Sequence, residues 1–259
     1  MLLAVDIGNT NITYGLISDV GVVLGTFRIT TKMPRTSDEF GMSLMSFLNN
    51  LNVEVTDIKD VIISSVVPKI MYAFTNSIRK YLLIEPMIVG PGIKTGISIK
   101  TESPKELGAD KIVDAAAVYN TYGGNALILD FGTATTYDYI DENGTFLYSC
   151  ISPGIEICAN ALWSQAAKLP EVEIKKPDTI LSKNTISSMQ SGIVYGYIGQ
   201  VEYIIKQFKK ELNKPDMKVI ATGGLGKIIY KETTMIDAYD PDLTFKGMKV
   251  IYDRNKTNE

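Results

Sequence analysis

The stretch Leu3-Ala4-Val5-Asp6-Ile7-Gly8-Asn9 returns 124 positions later as Leu127-Ile128-Leu129-Asp130-Phe131-Gly132-Thr133. In both copies a short apolar run, which reads as a buried strand, delivers Asp and then Gly at its end. Both copies lead into a hairpin. Ile12 to Ile17 and Val22 to Ile29 flank a turn at Ser18-Asp19-Val20-Gly21, while Thr136 to Ile140 and Thr145 to Ile151 flank Asp141-Glu142-Asn143-Gly144. A chain with this repeat is built from two similar α/β halves. The division falls between residues 117 and 125, which sets a first half at 1–120, a second at 121–252 and a polar tail at 253–259 expected to fray.

Between the repeats the periodicity changes. Phe40, Leu44, Met45, Phe47 and Leu48 lie at helical spacing within Ser37 to Leu51. Asp60 to Val67 reads as a buried strand closed by Pro68, with a helix from Ile70 to Tyr81 behind it. Ser103-Pro104-Lys105-Glu106 has serine at a cap position, proline at the first helical position and a glutamate able to close a capping box. It predicts a helix through Asp110 to about Tyr119, ended by Gly123-Gly124. A long helix is expected over Thr185 to Leu212, with Gly192 and Gly196 four apart where another backbone can approach. A strand at Lys218 to Thr222 ends in Gly223-Gly224.

Composition removes whole classes of chemistry. The chain has no histidine, so Ser-His-Asp, Cys-His and histidine-ligated metal sites are excluded, and proton transfer falls to Asp, Glu, Lys or Tyr. Its 259 residues, 45% of them apolar, suffice for two folded domains. The net charge of −3 and the lack of a basic run argue against nucleic acid as a partner. No apolar stretch approaches the ~18 residues of a membrane span, and no secretory signal is visible. With Cys150 and Cys158 as the only cysteines, a cytoplasmic protein is expected.

An Asp-x-Gly turn at a strand end is a phosphate device. Glycine lets the backbone approach phosphate oxygens, and the Asn and Thr groups beyond it donate hydrogen bonds. The carboxylate repels phosphate and needs a cation between them. One copy reads equally as an Asx turn; two copies favour one nucleotide clamped between two phosphate loops. Asp110 lies early in its expected helix, where the macrodipole favours the carboxylate. Its bland reading is a solvated residue paired with Lys111 or near Asp114, which itself reads as a surface carboxylate. Gly224-Leu225-Gly226-Lys227 fails as a P-loop because the spacing is wrong and Ile228 stands where Ser or Thr is required. Trp163 and the aromatics of the long helix read as core or dimer interface, and Cys158 as a small buried apolar residue.

Five motifs occur in order: Asp6-Ile7-Gly8-Asn9-Thr10, Pro104-x-x-x-Gly108-x-Asp110, Asp130-Phe131-Gly132-Thr133-Ala134-Thr135-Thr136, the Pro153-Gly154 turn and Thr222-Gly223-Gly224. Together they resemble the type III pantothenate kinases, over Leu2 to about Ile229. The resemblance implies an actin-like ATPase fold of two duplicated ribonuclease-H-like domains, α/β with mixed sheets and flanking helices. It implies a kinase that uses ATP, with Mg²⁺ and K⁺ or NH₄⁺, to phosphorylate pantothenate to 4'-phosphopantothenate at the start of coenzyme A synthesis. Carried over by position, Asp6, Ile7, Gly8, Asn9, Thr10, Asn11, Ile12 and Thr13 would form the first phosphate loop, with Asp6 near Mg²⁺. Thr133 would bind ATP, and Gly223 and Gly224 would approach the adenosine. Asp130 would sit at the monovalent-cation site. Thr101, Gly108, Ala109, Asp110, Lys111 and Thr185 would contact pantothenate, with Asp110 as general base. A homodimer is also implied.

Departures from the family pattern concentrate on the acceptor side. Thr101 stands where tyrosine is usual, Lys111 where arginine usually follows the catalytic Asp, Ser149-Cys150 where a glycine pair is usual, and Glu171 where arginine is frequent. Two other readings therefore stand beside the kinase: a nucleotide-binding paralogue that senses or regulates without turnover, and a kinase for another small hydroxy acid.

Overall fold

The first strand, β1 (Leu2–Ile7), is buried everywhere except at Asp6. That is the signature of a central strand covered on both faces. The computed structural model describes residues 1–256. Around β1 the first unit assembles β2 (Asn11–Ile17), β3 (Val23–Thr30), α1 (Ser37–Asn50), β4 (Asp60–Ser65), α2 (Pro68–Leu82), β5 (Met87–Ile88), β6 (Ser98–Ile99) and α3 (Ala109–Tyr122). Its sheet runs in the order β3-β2-β1-β4-β5. β1, β2 and β3 pair antiparallel, and β4 pairs parallel with both β1 and β5.

The second unit holds β7 (Ala126–Phe131), β8 (Ala134–Ile140), β9 (Thr145–Pro153), α4 (Ile155–Gln165), α5 (Thr185–Glu211), β10 (Lys218–Thr222), α6 (Gly226–Tyr230) and β11 (Ala238–Tyr239). These strands follow the order β11-β10-β7-β8-β9, with the same senses as in the first unit. The duplication therefore extends from seven residues to a whole mixed sheet, as expected of paired ribonuclease-H-like units. β1 and β7 share one burial pattern, and β2 and β8 share another. Tyr14 and Tyr137 fall at equivalent positions and are both fully buried. The second turn is one residue tighter: Gly8 N donates to Asn11 O, whereas Gly132 N donates to Ala134 O.

In the first unit one face of the sheet packs Leu3, Val5, Ile12 and Tyr14 against Phe40, Leu44, Phe74 and Ile78 of α1 and α2. Its other face packs Leu2, Ala4 and Ile62 against Val113 and Ala116 of α3. Phe245, Met248 and Ile251 of the last helix, α7 (Leu243–Lys256), join that second cluster. The compact units are consequently Met1–Thr121 with the segment from Asp242 onward, and Tyr122–Pro241. A second half running to 252 is thus corrected: its last turns bury their apolar side chains in the first unit. Of the tail expected to fray, 253–256 is helical, and 257–259 lie outside the described residues.

Asp114 is also corrected. It is 4% exposed and accepts a 2.8 Å hydrogen bond from Thr244 Oγ1, so it anchors α7 and is not a surface carboxylate. Cys158 is partly buried against the second unit's core, as is Trp163. No helix among the described residues is long and apolar enough to cross a membrane.

Candidate active site

Asp6 closes β1 between two hydroxyl residues, with Thr13 opposite it on β2 and Ser64 opposite it on β4. Beyond it the chain turns tightly. Thr31 Oγ1 donates to Gly8 O at 2.7 Å, and Thr31 N donates to Thr10 O at 2.8 Å, which ties the turn to the end of β3. Asn9 at the tip is exposed. Ile7 and Ile12 are fully buried with their side chains in the core, so of the eight expected loop residues these two can offer a ligand only backbone.

The Asp6 carboxyl is pushed up to about 7, chiefly by burial and next by the charge of Asp110, while Ser64 and Arg28 act in the opposite direction. Burial and a like charge both disfavour the carboxylate form. The two aspartates expected to carry the chemistry thus sit within electrostatic reach of each other in the first unit.

Asp110 reaches that position through a break in the helix predicted from residue 103. Pro104–Glu106 forms only a single 3₁₀ turn, and Ser103 makes no side-chain cap. The chain then straightens, and α3 begins at Ala109. Gly108 stands at the break, where there is no room for a side chain. A Cβ there would come within 2.4 Å of Asp110 Oδ1 and 3.3 Å of Val66 Cγ1. Asp110 lies in the first turn of α3, and its Oδ1 accepts from Lys111 N at 2.7 Å. Ala109 is buried in the core cluster beneath. Thr101 precedes this segment with its hydroxyl buried and, among the described residues, without a hydrogen-bond partner.

The second unit repeats the plan around Asp130. Thr136 lies opposite it on β8 and Thr222 on β10, again two hydroxyl residues. Three turns meet beside it. Gly223, at φ +92°, would place a Cβ 2.6 Å from Asp130 Oδ1. Gly154 N donates to Thr133 O at 3.1 Å, and a Cβ on Gly154 would lie 2.4 Å from that oxygen. Gly132 and Thr133 are exposed at the tip. Tyr239 of β11 donates to Gly223 O at 2.9 Å. Thr185, at the start of α5, lines an open groove of about 620 Å³ with Asn184, Ser188, Met189, Leu162 and Leu169. Among the described residues no cluster of three or more Asp, Glu, His or Cys could hold a metal ion.

Ser64 and Tyr239 escaped sequence reasoning. The first carries a signal in hindsight: β4 ends in Ser64-Ser65 and β10 ends at Thr222, so both strands flanking the aspartates finish on a hydroxyl. Tyr239 sits in a two-residue strand with no periodicity to mark it.

The family profile of type III pantothenate kinase matches residues 2–207. A type III pantothenate kinase of Agathobacter rectalis is 59% identical over 252 residues, covering 97% of this chain and 96% of the relative. One of Bifidobacterium longum is 52% identical over 255 residues, covering 98% and 99%. Among solved structures, component A of the (R)-2-hydroxyglutaryl-CoA dehydratase of Acidaminococcus fermentans superposes with a TM-score of 0.52 at 14% identity, over 100% of this chain and 99% of that one, a likeness of fold alone. The chain belongs to the type III pantothenate kinase family.

Proposed function

We propose that this protein transfers the γ-phosphoryl group of ATP to the primary hydroxyl of pantothenate, giving 4'-phosphopantothenate for coenzyme A synthesis, with Asp110 as the general base. The observation that carries this reading is the pairing of Asp6 and Asp110, with Gly108 leaving room for the Asp110 carboxylate. Phosphoryl transfer asks a protein mainly for positioning, charge neutralisation and a group to receive the hydroxyl proton. Asp110 is anchored through one oxygen to the amide of Lys111, so its direction is defined before substrate arrives. A sensor has no use for an oriented base, which favours the enzyme over the regulatory reading.

A Mg²⁺ ion fits Asp6. A carboxyl raised by burial and by a second carboxylate is one whose charged form a hard cation stabilises, and Mg²⁺ characteristically takes one or two carboxylates with substrate phosphates. When bound, Mg²⁺ offsets the charge that develops on the phosphates. We assign Gly8, Asn9, Thr10, Asn11 and Thr13, with the backbone of Ile7 and Ile12, to the phosphates of ATP. Thr133 joins them, and Gly223 and Gly224 serve the adenosine side. We place K⁺ or NH₄⁺ at Asp130. Lys111 faces the acceptor carboxylate as a point charge, with Thr101, Gly108, Ala109 and Thr185 completing the acceptor contacts. The buried, unpartnered Thr101 hydroxyl supports this, because a ligand oxygen would satisfy it. We further propose a cytoplasmic homodimer joined through α5.

The test is mass-spectrometric detection of 4'-phosphopantothenate from ATP and pantothenate, with and without K⁺, for the parent and Asp110→Asn. Product from the parent that depends on K⁺ and vanishes in the variant is expected. No product under any condition would leave the nucleotide-sensor reading in its place; product without K⁺ dependence would remove only the cation assignment.

A further inference from the structure

We infer that Tyr197, on the long helix α5, is a positioning residue that holds the Thr133 turn in shape for the nucleotide. The inference rests on Thr133 serving ATP as proposed above. Tyr197 is 4% exposed and lies with its ring centroid 6.4 Å from that of Phe131, in the turn's approach strand. Its hydroxyl touches both strands of the β8–β9 ladder at the end that carries the turn. It donates to Pro153 O at 3.2 Å and is hydrogen-bonded to Thr135, itself 1% exposed. A phenol has one proton. With that proton given to Pro153, the phenolic oxygen accepts from the Thr135 hydroxyl.

The consequence reaches Thr133 by a short route. Pro153 precedes Gly154, whose N–H donates to Thr133 O at 3.1 Å, and Thr135 lies two residues past Thr133, at the start of β8. One hydroxyl thereby fixes the turn from both sides. Gln200, three residues further along α5, repeats the contact by donating to Ser152 Oγ at 3.0 Å. Residues three apart share a helix face, so both side chains address the same ladder end. Removing the phenolic oxygen leaves the buried Thr135 hydroxyl short of a partner and the Pro153 carbonyl with only the weak donor Cys158 Sγ, 3.9 Å away. Such groups relax by moving, and here the backbone that can move is the turn.

The experiment is steady-state kinetics on the full chain for Tyr197→Phe, Gln200→Ala and Thr133→Ala, with thermal melting of each. Tyr197→Phe keeps the ring against Phe131 and is expected to raise KM for ATP about five- to tenfold, the effect of losing one or two hydrogen bonds, with KM for pantothenate unchanged. Gln200→Ala should shift KM for ATP in the same direction by about twofold, and it carries the test alone if Tyr197→Phe fails to fold. Thr133→Ala separates the inference from its foundation. If that variant leaves KM for ATP unchanged, the nucleotide reading of the turn fails and the inference with it. If Thr133→Ala raises KM for ATP while Tyr197→Phe and Gln200→Ala do not, or if they raise both Michaelis constants alike, Tyr197 is a packing residue and the inference is overturned.

Discussion

Burial first, and the charge of Asp110 second, push the Asp6 carboxyl up from the usual 3.8 to about 7. A raised folded pKa means that the folded state holds a proton the unfolded chain has lost, so stability declines as pH rises toward 7. Between pH 5 and pH 7 that amounts to at most about 3 kcal/mol at 1.36 kcal/mol per unit. The metal-free parent should therefore lose stability to urea between pH 5 and pH 8, and Asp6→Asn should not. Equal slopes in the two proteins would mean that Asp6 is ionised throughout. The neighbouring positions yield a kinetic test. Asp110→Asn should lower kcat by ~10²–10⁴-fold with nucleotide affinity retained. Gly108→Ala should act in the same direction, because the new Cβ meets Asp110 Oδ1 at 2.4 Å and must swing the carboxylate aside. A displacement on the order of 1 Å costs ~10²-fold in rate. Normal turnover in Gly108→Ala would show that the base tolerates the shift or lies elsewhere.

At the scale of elements, α7 shows where sequence reading stops. Its buried residues Leu243, Phe245, Met248 and Ile251 follow a helical period, yet they are spread among Lys246, Lys249, Asp253 and Arg254, and the segment reads as polar. Nothing local indicates that it returns to the first unit, because that choice depends on an apolar patch made by Leu2, Ala4 and Ile62 some two hundred residues earlier. Strongly patterned elements were legible: α1, α2 and α5 begin and end within two residues of expectation, and β10 matches it outright. The two Asp-x-Gly turns of the candidate site were legible because the chain repeats itself at Asp6 and Asp130, whereas Ser64 and Tyr239 come beside those turns through long-range pairing and packing that no local pattern marks. Ser103-Pro104 misled because a capping signature is only local: Ser103 makes no side-chain cap, and the helix proper begins at Ala109. Met248→Ala should cost about 2–5 kcal/mol, the range for emptying a buried apolar site, since Met248 is fully buried. Urea titration of the first unit's transition checks this, and a loss below about 0.5 kcal/mol would place α7 off the core.

For the whole molecule, the expected homodimer finds its argument in three glycines of α5. Gly192, Gly196 and Gly199 are exposed, and among the described residues nothing outside the helix's own backbone lies within 4 Å of the Cβ each lacks. A glycine inside a helix costs roughly 0.8–1 kcal/mol relative to alanine, so within one chain these positions are a loss without return. Their spacing of four and three residues puts them on one helix face, and Tyr203, 64% exposed, continues that face another four residues along. A stripe of small residues ending in an aromatic ring suits close approach of a second backbone, with the ring packing at the stripe's end. The two arrangements predict opposite responses to added bulk. If α5 faces solvent, Gly196→Ala should stabilise the protein by about 1 kcal/mol, and Gly196→Leu should leave its mass in solution unchanged. If α5 joins two copies, the parent should sediment as a dimer and Gly196→Leu as a monomer. Analytical ultracentrifugation of the three proteins decides between these outcomes. A parent that is monomeric at micromolar concentration would remove the dimer, and a dimeric Gly196→Leu would move the interface to another face.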